Sequence, residues 1–142
     1  MAEADIINLH YTVPGDDFTR AGEASAELKK TLKKLGVNPE AVRKVAIALY
    51  EGEINLAIHA GGGEIFVELA PDYVLMRLVD HGPGIKDISL AMSAGYSTAP
   101  DEVRSLGFGA GMGLPNMKKY SDEFDIQSTV GVGTTVTMRV NI

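Results

Sequence analysis

The chain contains no cysteine and no tryptophan, and aromatic residues make up only 6% of it. Without cysteine there is no disulfide framework and no thiolate metal site, and a reducing cytoplasm is the simplest home for it. Histidine is scarce too: three residues, with no H-E-x-x-H motif, so no zinc site is expected. No apolar run approaches the roughly 18–20 residues that a membrane helix requires. The acidic opening MAEADIINLH lacks the basic region that begins a signal peptide. Positive charge is also short, with 13 Lys and Arg against 19 Asp and Glu and a net charge of −6. That is the wrong sign for a surface that grips nucleic acid. The one basic cluster, Lys29, Lys30, Lys33 and Lys34, alternates with Leu28, Leu32 and Leu35 and reads as the solvated face of a helix. Neither nucleic acid nor membrane is expected as a partner.

What is present is an ordinary globular composition, 45% apolar over 142 residues, which predicts one domain spanning 1–142. No internal repeat or linker divides it. Residues 4–13 read as a strand. Asp16 or Asp17 is placed to cap a helix over 17–35 that Gly36 stops, and Asn38-Pro39 is a matched N-cap and N1 pair for a second helix running to about His59. EIFVELA and YVLMRLVD form a strand pair turning at Pro71-Asp72. An irregular stretch from His81 to Gly113 follows, then a short helix over 114–120. FDIQSTV and TTVTMRVNI are the last two strands, joined by Gly131-Val132-Gly133. Strands in runs, without regular βαβ alternation, predict an α+β fold. Its form is a two-layer sandwich, with helices on one face of a mixed, mostly antiparallel sheet. The irregular stretch is longer than a plain connection and, being rich in small and hinge residues, reads as a lid.

Three stretches carry chemistry. On the second helix Val42, Val45, Leu49 and Leu56 share one face while Ile47, Ile54 and Ile58 share roughly the opposite one. Between them Glu51, Asn55 and His59 form a narrow polar stripe that needs partners, or solvent, if the helix is buried; Glu53 lies off it. LVDHGPGIKD ends a hydrophobic strand in Asp80 and turns at Gly82-Pro83-Gly84. That is either a plain turn or a carboxylate at a pocket mouth, with Gly84 admitting a flat ring. SLGFGAGMGLPNMKKY loosens its backbone at Gly107, Gly109, Gly111 and Gly113 just before a helix, as a loop does when its N–H groups cradle an anion. It matches neither the dinucleotide-binding pattern nor the P-loop, and protein-kinase signatures are absent. Gly95-Tyr96-Ser97-Thr98-Ala99 lacks the second glycine of a nucleophile elbow.

Together, E-x-x-x-N on a helix, D-x-G-x-G after a strand, G-x-G-x-G before a helix and a closing GVGTTVTM resemble the GHKL superfamily, which includes gyrase, histidine kinases and MutL. The order holds from about residue 40 to the C-terminus. Within it the chain resembles the small anti-sigma factors and switch serine/threonine kinases of bacterial partner switching, with DHGPGI, GYST and DEFDIQSTVGVGTTV closest to the switch-kinase branch. No phosphoacceptor-histidine helix pair and no transducer domain accompany these motifs.

The resemblance implies a Bergerat-type fold with an ATP lid over about 86–106, and a cytoplasmic enzyme using ATP and Mg²⁺. Glu51 matches the general base and Asn55 the Mg²⁺ ligand. Asp80 matches the contact to the adenine amine and Gly84 the glycine beside the base. Gly109, Gly111 and Gly113 match the phosphate loop, and Thr134, or alternatively Thr135, the threonine that reaches adenine. Lys86 and Arg104 are basic residues of the lid. The implied partner is a STAS-domain antagonist, with a sigma factor or a PP2C-type phosphatase as further candidates. The resemblance also allows a homodimer through the N-terminal strand and helix.

Overall fold

Alternation of apolar and polar residues decides which side of each strand is covered. In β2 (Gly62–Leu69), Ile65, Val67 and Leu69 are buried while Phe66 between them is exposed; in β3 (Tyr73–Val79), Val74, Met76 and Leu78 are buried and Arg77 is exposed. The computed structural model describes residues 6–15, 20–92 and 113–142. Its strands, with β1 (Ile7–Pro14), β4 (Glu123–Thr129) and β5 (Gly133–Asn141), form one sheet in the order β1-β2-β3-β5-β4. All four pairings among the described residues are antiparallel, so the parallel component that a mixed sheet would contain is absent. β1, at one edge, reaches its neighbour β2 through α1 and α2, short hairpins join β2 to β3 and β4 to β5, and β5 beside β3 places the start of β5 against the end of β3, Thr135 opposite Val79.

The buried side of the sheet packs with α1 (Glu23–Lys34), α2 (Pro39–His59) and α4 (Gly113–Lys119) into one core cluster containing Leu28, Leu32, Leu49, Met76, Met117 and Met138. The other face carries polar residues around Phe66, which stacks on His10 with ring centroids 4.9 Å apart and lies under the Arg77 guanidinium. The two-layer α+β arrangement is therefore as expected. α2 begins as its sequence requires: Asn38 accepts the Ala41 N–H at 2.9 Å and Pro39 occupies the first helical position. Gly36, at φ +77°, ends α1, with its N–H bonded to Lys33 O and that of Val37 to Leu32 O, the pattern of a left-handed C-terminal cap.

Two local expectations fail. The stretch from His81 to Gly113 is not wholly irregular, because Ile88–Ala91 forms a short helix, α3, closed by Ala91 N–H to Asp87 O and Met92 N–H to Ile88 O. The first helix starts at Glu23, not near residue 17, and its cap is not an aspartate close in sequence. Asp16 and Asp17 lie outside the described residues. Gly22 holds the N-cap position at φ +106° and has no side chain to offer. The acceptor comes from α2 instead. Glu53, only 1% exposed, takes the N–H groups of Gly22 at 2.9 Å, Ala24 at 3.1 Å and Ser25. A carboxylate at a helix N-terminus satisfies otherwise orphaned donors and opposes the helix dipole.

Removing that carboxylate strands buried N–H donors, so Glu53→Ala is expected to lower unfolding free energy by about 3 kcal/mol in urea titration. Glu53→Gln, which keeps one acceptor oxygen, should cost less than half of that.

Candidate functional site

The end of β3 and the beginning of β5 are bound to each other through Asp80. Its N–H donates to Thr134 O at 3.0 Å, and its Oδ1 accepts the N–H groups of Gly82 at 2.9 Å and Thr134 at 3.2 Å. The second carboxylate oxygen has no partner among the described residues, so it is left to accept from a ligand. Gly133 makes this approach possible: a Cβ there would sit 2.1 Å from Asp80 O, and its φ is +147°. The turn after Asp80 is fastened to the β4–β5 hairpin. Gly131 N–H donates to Pro83 O at 2.9 Å and Ile85 N–H to Ser128 Oγ at 2.7 Å. Gly84 serves this docking first. At φ +79°, a Cβ on it would meet Thr129 O at 2.5 Å, so the hairpin itself requires a glycine there.

A cleft of about 470 Å³, open mouth included, lies between this wall and α2. Asp80, Gly84, Thr134 and Asn55 line it with apolar Leu78, Ile85, Met117 and Val136. One carboxylate above apolar walls suits a flat heteroaromatic ring bearing an amine. Thr134 lines the cleft while Thr135, the next residue of β5, opposes Val79 on the other side of the sheet, which decides between the two threonines. Gly52 brings α2 close to the sheet, since a Cβ there would overlap Leu78 Cδ2 at 2.3 Å.

Asn55 lines the cleft from α2, and Glu51, one turn earlier, converges with it on α4. A Cβ placed on Gly113, the first residue of α4, would be 3.8 Å from Glu51 Oε2 and 3.7 Å from Asn55 Oδ1. Glu51 and Asn55, two members of the α2 stripe, thus face the start of α4. Burial pushes the Glu51 carboxyl above the ordinary carboxylate range, and a side-chain hydrogen bond from Asn116 on α4 pulls it partly back. Asn55 offers an amide oxygen there, a hard donor of the kind that suits a small divalent cation. No group of three acidic or histidine side chains able to hold a metal alone exists among the described residues.

Gly109, Gly111 and Arg104 lie outside the described residues, as does most of the lid; Lys86 is exposed. His10 pairs with Glu64 at 2.6 Å on the far face of the sheet, away from the cleft. Sequence reasoning missed Asn116, Ser128 and Glu53. Asn116 had a signal, lying one helical turn after Gly113. Ser128 is a polar residue at an inward-facing position of β4, visible only once the register is known.

Residues 16–140 match the family described as the histidine kinase-like ATPase domain. The chain belongs to that family. Among its relatives, the serine/threonine-protein kinase RsbT of Bacillus subtilis is 33% identical over 112 residues, covering 76% of this chain and 78% of RsbT. The anti-sigma F factor of Clostridium acetobutylicum is 31% identical over 131 residues, covering 87% of this chain and 83% of that protein. The fold is shared with a chain of the SiaB–SiaC complex from Pseudomonas aeruginosa, at TM-score 0.64 and 14% identity over 97% of this chain and 90% of that one. It is also shared with the RsbU and RsbW domains of a Mycobacterium tuberculosis protein, at TM-score 0.63 and 19% identity over 94% of this chain and 31% of that one.

Because the folded state holds the Glu51 proton more tightly than the unfolded chain, this group favours folding below its unfolded pKa and opposes it as pH rises through the folded value. Glu51→Gln is therefore expected to raise the melting temperature at neutral pH. The gain should shrink toward pH of about 4, where both states are protonated. Thermal melts across pH check this.

Proposed function

We propose that this protein is an ATP-dependent serine/threonine kinase that phosphorylates a STAS-domain antagonist in a partner-switching pathway. The observation that carries the reading is that Asn55, Asp80 and Thr134 line one cleft, while Asn55 and Glu51 both reach the first residue of α4. A nucleotide seated with its base at Asp80 would direct its phosphates toward Glu51. The kinship with RsbT supports the reaction class.

In this reading ATP supplies the phosphoryl group and Mg²⁺ neutralises its charge. Asp80 accepts from the adenine amine through its unpaired oxygen. Asn55 Oδ1 is the protein's ligand to the metal. Gly113, at the start of α4, would meet the phosphates; Gly109 and Gly111, the other glycines of that motif, lie outside the described residues. Glu51 takes the proton from the partner's Ser or Thr hydroxyl as the new P–O bond forms and the bond to the β-phosphate oxygen breaks, releasing ADP. A carboxyl raised above its ordinary range is a better base for that proton than an exposed one. The reading places the protein in the cytoplasm and makes a homodimer testable by mass measurement.

The anti-sigma F factors among the relatives support a second reading, in which ATP gates capture of a sigma factor or a PP2C-type phosphatase with little transfer.

Incubation with Mg²⁺, γ-labelled ATP and a STAS-domain protein tests both. Label is expected on the partner's Ser or Thr, lost in Glu51→Ala with ATP affinity retained. Asp80→Asn should weaken ATP binding about ten- to a hundredfold, the cost of losing a charged hydrogen-bond acceptor. Nucleotide-dependent complex formation without label would establish the gated binder. Failure of the wild-type protein to bind ATP would overturn both.

A further inference from the structure

Ser128 sits at a junction the proposed reaction does not use. Its Oγ accepts the Ile85 N–H at 2.7 Å, lies 2.7 Å from Thr134 Oγ1, and is 3.3 Å from Gly133 O. A serine hydroxyl has one proton to give. With the Ile85 N–H already bonded to the oxygen, that proton has two destinations. The carbonyl of Gly133 is at the long limit for an O–H donor, whereas Thr134 Oγ1 is at the ideal distance.

We infer that Ser128 is a specificity-determining positioning residue: it donates to Thr134 Oγ1 and so commits the Thr134 hydroxyl to donating into the cleft. This rests on the cleft being the ATP site. The cleft then offers an acceptor, the free oxygen of Asp80, next to a donor, Thr134. Adenine presents the complementary pair, an amine donor at C6 beside the N1 acceptor. Hypoxanthine presents the reverse, an O6 acceptor beside an N1–H donor. Without Ser128 the Thr134 hydroxyl turns freely and accepts as readily as it donates. Asp80 would still reject hypoxanthine, but Thr134 would cease to.

Ser128→Ala also frees the Ile85 N–H, which loosens the cleft wall. That weakens any purine nucleotide equally, so the ratio of affinities isolates the polarity of Thr134 from plain structural damage. The experiment measures binding of Mg²⁺-ATP and Mg²⁺-ITP to the full chain by calorimetry, in wild type, Ser128→Ala and Ser128→Thr. Ser128→Ala is expected to lower the ATP-over-ITP preference roughly three- to tenfold, the worth of one oriented hydrogen bond. Ser128→Thr should restore the preference. An equal loss for both nucleotides, or an unaltered ratio, would overturn the inference while leaving the ATP site intact. A wild type that binds neither nucleotide would overturn the site reading itself. If Ser128→Ala does not fold, Ser128→Cys, a weak donor and acceptor of similar size, is measured with the same expectation.

Discussion

The arrangement depends on α2 being buried along two sides at once. One side must lie on the sheet, and Gly52 allows this because any side chain there would enter Leu78. The other packs on α1 and α4. A helix so enclosed has little room for polar groups, and each one it keeps needs a partner. Glu53 holds the start of α1 by three backbone N–H groups. Glu51 is bonded by Asn116 of α4. Asn55 faces the cleft. Within five residues, one helix therefore anchors a neighbouring helix, offers a carboxyl with a raised pKa, and supplies a hard oxygen.

The opposite wall obeys a different constraint. It is built from backbone, with Asp80 bridging β3 and β5 and glycines at 84 and 133 where side chains would collide with main-chain carbonyl oxygens. Such a wall is stiff because its contacts are short hydrogen bonds and close backbone packing rather than rotatable side chains. A rigid wall facing a helix whose polar groups are already committed is a preorganised site. It presents the Asp80 carboxylate, Thr134 and Asn55 to one cleft.

Much of this was legible from residues alone. The period of α2, its Asn-Pro start, the alternation in β2, β3 and β5, and the order of the motifs are all local signals, and the elements formed within a few residues of where they were expected. Glu51 and Asn55 lie on one stripe by helical geometry, so their proximity followed from spacing. Gly84 was expected to admit a ring, and its nearest neighbour turned out to be Thr129 of the hairpin. The start of α1 was misplaced because helix caps are sought nearby in sequence, whereas this cap comes from 31 residues away.

The sequence by itself determined which segments are helix or strand, which faces are apolar, and which polar residues share a stripe or a turn, since these depend on periods of two and 3.6 residues and on backbone preferences within one turn. The tertiary structure alone decided that the sheet is antiparallel throughout, that Thr134 and not Thr135 meets the cleft, that Glu53 caps a distant helix, and that Ser128 touches Thr134. Each of those outcomes depends on register or on contact between elements far apart in the chain. A shift of one residue in the pairing of β5 would exchange Thr134 for Thr135, and no local pattern encodes that register.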